Sequence, residues 1–349
     1  MTTAAYQQII AAPPRDRLDL FLATANRLGT PIGNVEKDFW VCWTLNALYH
    51  ERPAAGPRLL FKGGTSLSKA YGLIERFSED IDVTVFRDDL DEAVSIEALE
   101  ALSNKKRRAR LDAIRDACRA YITGPLYMFL GTQIADATNG AGRVEIDPAD
   151  PDGQTLLLWY PEVEPRDGAY VRPAVRLESG AKSALDPHQP VLITPYIADD
   201  APDLKLAVAD VTTIEASRTF WDKVVIAHGL RRWYERRGIL RQEGQRVSRH
   251  YYDLHCLLAS NVGGGALAQP NLGIDCVRHA RMFFDRPDYD LASAVPGSFA
   301  ISPIDGMIDA LNRDYENMTA MIFGAAPDFV EILASIREIE RIANSTTPS

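Results

Sequence analysis

The stretch "FKGGTSLSKAYGLIERFSEDIDVTVF", residues 61–86, holds two groups of side chains suited to phosphate chemistry. The first is Gly63-Gly64-Thr65-Ser66. Glycines let backbone N–H groups approach an anion closely. Hydroxyls at the start of a helix cap it or donate to a phosphate. The second is Asp80-Ile81-Asp82, which opens a run rich in β-branched residues, the composition of a strand. Alternate side chains of a strand share a face. Asp80 and Asp82 therefore point one way, while Ile81 and Val83 point the other, into a core. Two carboxylates that close repel each other unless a cation sits between them. Mg2+ suits such a site, because it prefers oxygen ligands and shares its shell with substrate phosphates. Taken singly, the glycines are also what a tight strand-to-helix turn requires, and the acids what a strand end or helix cap carries. Their succession points to a triphosphate and a divalent ion.

The surrounding pattern predicts how these residues are positioned. The first 50 residues read as helices, "RDRLDLFLATANRLG" closing at a glycine and "VEKDFWVCWTLNALYH" following. "RLLFKGG" is a short strand, "TSLSKAYGLI" a short helix and "DIDVTVF" a strand. Residues 91–122 return to helix. "GRVEID" and "QTLLLWYP" flank a turn-rich "PADPDG" and predict a hairpin. "AYVRPAVRLESG" reads as a further strand and "PVLITPYIAD" as one more. "APDLKLAVADVTTIEASR" reads as a join, with helices from Thr212 onward. The expected division is 1–210, N-terminal helices with an α/β core, and 211–349, a helical domain.

Composition sets limits. The chain has 349 residues, 46% hydrophobic and 25% charged, with a net charge of −10. That balance argues against non-specific coating of nucleic acid. Two basic blocks stand out, "NKKRRARLDAIR" (104–115) and "HGLRRWYERRGILRQEGQRVSRH" (228–250). Each is either a solvated helix face or a local phosphate or RNA contact. No apolar run is long enough for a membrane span, and the N-terminus has no secretory pattern, so the expectation is a cytoplasmic protein without a membrane partner. The four cysteines lack C-x-x-C spacing and read as buried thiols. His250 and His255 are five apart, not the helical-face spacing of a zinc pair. Neither a Walker pattern nor Gly-x-Gly-x-x-Gly is present.

With those residues in view, "FKGGTSLSKAYGLIERFSEDIDV" resembles the AbiEii/AbiGii toxin family, MenT-like toxins included, within the DNA polymerase β-like nucleotidyltransferase superfamily. "VEKDFWVCWTLNAL", "SRTFWDKVVIAHGL" and "RHYYDLHCLL" resemble further family motifs in the same order, so the resemblance touches residues 34–260. It implies an α+β fold: a polymerase β-like core with a mixed sheet, flanked by N-terminal helices and a C-terminal helical region.

The resemblance also implies roles. Asp80 and Asp82 would hold catalytic Mg2+ or Mn2+, and a third carboxylate is expected on a neighbouring strand. Glu178 in "AVRLESG" is the candidate, with a surface glutamate the competing reading. Lys223 matches the family lysine and would contact nucleotide phosphates. Asp253 matches the late aspartate. It is either part of the site or the partner of Arg249, four residues earlier on the same helix face. Gly63, Gly64, Thr65 and Ser66 complete the nucleotide contacts. Lys62, Lys37 and Asp38 lie near the motifs without assigned chemistry.

The implied function is a metal-dependent nucleotidyltransferase. It would be the toxin of a type IV abortive-infection toxin–antitoxin system, transferring NMP from an NTP to a tRNA 3′ end and blocking translation. Its antitoxin need not touch it. The competing readings are transfer to a small molecule or protein, and an inactive nucleotide-binding regulator.

Overall fold

A computed structural model describes residues 2–78, 80–164, 172–241 and 246–345. Glu79, residues 169–171 of the expected strand, and 242–245 of the second basic block lie outside the described residues. The strands are β1 (Leu59–Lys62), β2 (Asp80–Val85), β3 (Arg143–Ile146), β4 (Thr155–Trp159), β5 (Ala174–Gly180), β6 (His188–Ile193) and β7 (Val208–Ile214). They form one mixed sheet in the order β3-β4-β5-β2-β1-β7-β6. β2 runs antiparallel to β1 and parallel to β5, and β1 runs parallel to β7. The architecture is α+β, as the motifs predict, and the "PADPDG" hairpin is β3–β4.

The helices preceding and following the motif strands are α1 (Thr2–Ala11), α2 (Pro14–Leu28), α3 (Ile32–Asn46), α4 (Gly63–Lys69), α5 (Ile96–Glu100), α6 (Asn104–Tyr121) and α7 (Tyr127–Ala137). Then come α8 (Ala216–Arg237), α9 (Arg249–Ala259), α10 (Asn261–Leu267), α11 (Pro270–Phe283), α12 (Asp305–Glu316) and α13 (Phe329–Ser345). Among the described residues no helix is long and apolar enough to cross a membrane.

The chain divides into two compact units. The first comprises 1–70, 77–94 and 104–213; the second comprises 71–76, 95–103 and 214–349. In the first unit, α3 is buried from Gly33 to Asn46. Its Phe39 meets Tyr6 and Phe21, and its Trp40 stacks on Tyr160 with ring centroids 5.3 Å apart. The Tyr6 hydroxyl donates to the Leu206 carbonyl at 2.9 Å, so its polar end is satisfied inside the core. The second unit is built on α8, whose Phe220, Trp221 and Val224 are buried, with Trp221 Nε1 donating to the Ala266 carbonyl at 2.9 Å.

One element departs from the sequence reading. The segment read as a join contains β7, and helix begins only at Ala216. The reason is visible in "VADVTTI": Val208, Val211, Thr213 and Ile214 are buried β-branched residues. Thr213 pairs with Phe61 of β1. The helix expected from "TSLSKAYGLI" is also shorter, ending at Lys69.

Candidate active site

β2 shows the alternation its composition requires. Ile81, Val83 and Val85 are fully buried, while Asp80 and Asp82 are half-buried on the opposite face. The register then fixes what flanks the two acids. Lys62 of β1 stands opposite Asp82, and Glu178 of β5 stands on its other side. Arg176 of β5 stands beside Asp80. Period-two alternation puts Lys62, Asp80, Asp82, Arg176 and Glu178 on one face of the sheet. Val175 and Leu177, which alternate with Arg176 and Glu178 along β5, are buried on the other face.

The turn from β1 into α4 lies against these acids. Gly63 has φ +81, the left-handed region that disfavours side chains. A Cβ added there would sit 2.0 Å from Asp82 Oδ2. The glycine is thus required twice, by backbone conformation and by the space the carboxylate takes. Thr65 and Ser66 are fully buried. The Thr65 hydroxyl bonds the Ser78 hydroxyl at 2.8 Å and the Asp80 carbonyl, and Ser66 Oγ donates to the Gly63 carbonyl at 2.8 Å. Thr65 fastens the turn to the start of β2, and Ser66 closes the turn on itself. Backbone at Gly63 and Gly64, half-buried, is what the turn leaves toward an anion.

Glu178 is engaged by Arg176, whose Nη1 forms an ion pair with Glu178 Oε1 and whose Nε meets Asp147 Oδ2 at 3.1 Å. Burial opposes the charge on Arg176, but Glu178, Asp147 and Asp80 more than offset it and hold the guanidinium protonated. Among the described residues no three of His, Cys, Asp and Glu converge on one ion position. The donor chemistry still fits a divalent ion: two carboxylates on one face and a third in register on the next strand are hard oxygen ligands, and a triphosphate supplies further oxygens.

α4 is anchored at its far end. Lys69 Nζ meets Asp38 Oδ1 at 2.6 Å, both side chains 4% exposed, and lies 3.7 Å from the centre of the Tyr196 ring. Asp38 Oδ2 accepts from the Tyr196 backbone N–H at 2.6 Å. Burial pushes the Asp38 carboxyl up against the pull of Lys69. Asp38, which had no assigned chemistry, thus holds α4 and the glycine turn against α3.

Lys223 and Asp253 meet in the second unit. Lys223 Nζ lies 2.7 Å from Asp253 Oδ2. Arg76 clamps the same carboxylate, Nε to Oδ1 at 2.8 Å and Nη2 to Oδ2 at 3.0 Å. All three side chains are buried. Burial disfavours the charge on Asp253, but Arg76 and Lys223 together hold its carboxyl well below the usual range. Lys223 is pushed down by burial and by Arg76, against the pull of Asp253. Two basic side chains thus share one buried carboxylate. The partners of Asp253 are Arg76 and Lys223 rather than Arg249. Arg76 is the residue the motif reading passed over. Its signal was an arginine between Ile74 and Phe77, both buried.

The basic blocks differ. On α8, Arg231 and Arg232 pair with Glu235, and Arg236 and Arg237 with Asp288. At the start of α6, Lys105 and Arg108 are exposed.

A family model described as "Nucleotidyl transferase AbiEii toxin, Type IV TA system" matches residues 46–339. The fold is similar to that of the solved structure of MenT4, a nucleotidyltransferase toxin from Mycobacterium tuberculosis H37Rv. The TM-score is 0.53 at 15% identity, covering 94% of this chain and 90% of that one. No curated protein matches the sequence.

Proposed function

This chain belongs to the AbiEii family of nucleotidyltransferase toxins of type IV toxin–antitoxin systems, and from that premise we propose that it transfers NMP from an NTP to a tRNA 3′ end, blocking translation and growth. The observation that carries the reading is the face of β2, where Asp80 and Asp82 stand together and the Gly63 backbone is pressed against the Asp82 carboxylate. Asp80 and Asp82, with Glu178, are assigned to Mg2+ or Mn2+; such ions, when bound, lower the pKa of an attacking hydroxyl and neutralise a triphosphate.

The chain's own residues do the rest. Backbone at Gly63 and Gly64 meets the phosphates, and Thr65 and Ser66 keep that backbone in place. Lys223 contributes a point charge to the nucleotide, with Asp253 and Arg76 fixing its position. The acceptor hydroxyl attacks the α-phosphorus, the α–β bridging bond breaks, and pyrophosphate leaves. The exposed basic start of α6 is assigned to the RNA backbone. The reading includes a cytoplasmic site of action and an antitoxin that acts without touching the toxin.

The test is incubation with each α-labelled NTP, a divalent ion and total tRNA, beside the Asp80→Ala/Asp82→Ala variant. Label in tRNA that the variant loses is the expected result. Label in protein or a small molecule would transfer the reading to that acceptor. No metal-dependent transfer would leave a nucleotide-binding regulator.

A further inference from the structure

Arg176 faces the carboxylate pair from the next strand. β2 and β5 are parallel, with Asp80 paired to Arg176 and Asp82 to Glu178. Neighbouring strands lie about 4.8 Å apart, so the Arg176 backbone stands one strand from Asp80, close enough for the Asp80 charge to act on the guanidinium. It is held there from two sides. Glu178, two residues on in the same strand, takes one arm, and Asp147 takes another. Asp147 belongs to a knitted turn: its Oδ1 accepts from the Ala149 N–H at 2.9 Å, and Asp150 accepts from Gln154 N–H and Thr155 Oγ at 2.8 Å. The β3–β4 turn therefore presents a fixed carboxylate to Arg176, not a mobile one.

Two consequences follow from charge alone. A carboxylate pair on one strand face needs a counter-ion, and Arg176 supplies one positive charge beside Asp80. The same guanidinium occupies Glu178, the third carboxylate. We infer that Arg176 is the resident counter-ion of the Asp80/Asp82 site: it keeps the carboxylates ordered before a divalent ion arrives and holds Glu178 away from that ion, so that the ion binds weakly until nucleotide brings further oxygen ligands. Arg176 is a positioning residue, acting through Glu178 and Asp80. The inference rests on the reading of Asp80 and Asp82 as metal ligands. It extends that reading by naming what sets their affinity.

The test is Mn2+ binding to the nucleotide-free protein, followed by electron paramagnetic resonance of free Mn2+, for wild type, Arg176→Gln, Arg176→Lys and Asp80→Asn/Asp82→Asn. Repulsion between one guanidinium and a divalent ion across about one strand spacing is worth on the order of tenfold in affinity even at the dielectric of water. Arg176→Gln is therefore expected to bind Mn2+ roughly tenfold more tightly than wild type. Arg176→Lys, which keeps the charge, is expected to stay near wild type and doubles as the control for folding. Mn2+ affinity unchanged or weakened in Arg176→Gln, with wild-type binding that Asp80→Asn/Asp82→Asn abolishes, overturns the inference and leaves the metal site standing. Unchanged Mn2+ affinity with weakened NTP binding also overturns it and assigns Arg176 to the triphosphate. Absence of Mn2+ binding in wild type and Arg176→Gln alike overturns both the inference and the metal reading.

Discussion

Asp253 carries two cations in a buried setting, and that makes the three residues of its cluster unequal. Removing the carboxylate strands Arg76 and Lys223 together, whereas removing Lys223 leaves the two-pronged Arg76–Asp253 pair intact. Breaking a buried pair by deleting one partner costs about 3–5 kcal/mol. Asp253→Asn is therefore expected to lose about that much stability, and Lys223→Met much less, in urea unfolding at neutral pH. Nucleotide transfer is expected to disappear in both. The pH dependence has a definite sign. Asp253 is depressed in the folded protein, so its contribution is whole above the ordinary aspartate value of 3.8 and is lost as pH falls below it. The stability gap between wild type and Asp253→Asn should stay constant at neutral and mildly acid pH, then narrow below about 4. Gly63→Ala tests the turn beside Asp82. The left-handed backbone alone costs a side chain about 1–2 kcal/mol, and the added Cβ displaces the Asp82 carboxylate. Lower melting temperature together with weakened Mn2+ binding is the expected pair of results. At this scale spacing and residue type singled out the acids and glycines, and the family resemblance singled out Lys223 and Asp253, which the structure brings together. Arg76 and Arg176 were not legible, because an arginine shows its role only through the partners it meets; Asp253 lies 177 residues from Arg76, and Asp147, which with the nearby Glu178 fixes Arg176, lies 29 residues away.

At the level of elements, α3 and α4 are tied by Asp38 and Lys69. The pair is 4% exposed on both sides, and Asp38 also satisfies the Tyr196 N–H. Asp38→Ala is expected to cost about 3–5 kcal/mol by leaving Lys69 buried and unpaired. The double variant Asp38→Ala/Lys69→Met should recover part of that loss, and a double-mutant cycle in urea unfolding measures how much. Additive losses would mean the two residues are independent. Helices and most strands were legible from periodicity: β2 and β5 alternate cleanly, and the hairpin announces itself through "PADPDG". β7 was missed because the helical pattern of α8 begins two residues after it, and the two periods run together at Thr212–Ile214. The Asp38–Lys69 tie was illegible for a different reason. Three consecutive charged residues, Glu36, Lys37 and Asp38, look exposed in sequence, yet all are buried in α3.

Across the whole chain, charge separates two blocks that look alike in sequence. The α8 arginines are each engaged by Glu235 or Asp288, two to each carboxylate, so their side chains are held by ion pairs within the chain. The start of α6 exposes Lys105 and Arg108. Lys105→Glu/Arg108→Glu should therefore reduce RNA labelling and flatten its dependence on salt, because fewer counterions are released. Arg236→Glu/Arg237→Glu should act on stability more than on the salt slope. Equal slopes for the two variants would remove α6 from the RNA contact. The most direct measurement of the central claim follows both ends of the nucleotide. NTP labelled at the α- or the γ-phosphate is incubated with the protein, a divalent ion and total tRNA, alongside Asp80→Asn. The expected result is α-label joined to tRNA and γ-label released as pyrophosphate, both lost in the variant. γ-Label on the acceptor, or α-label transfer that survives Asp80→Asn, would contradict the account.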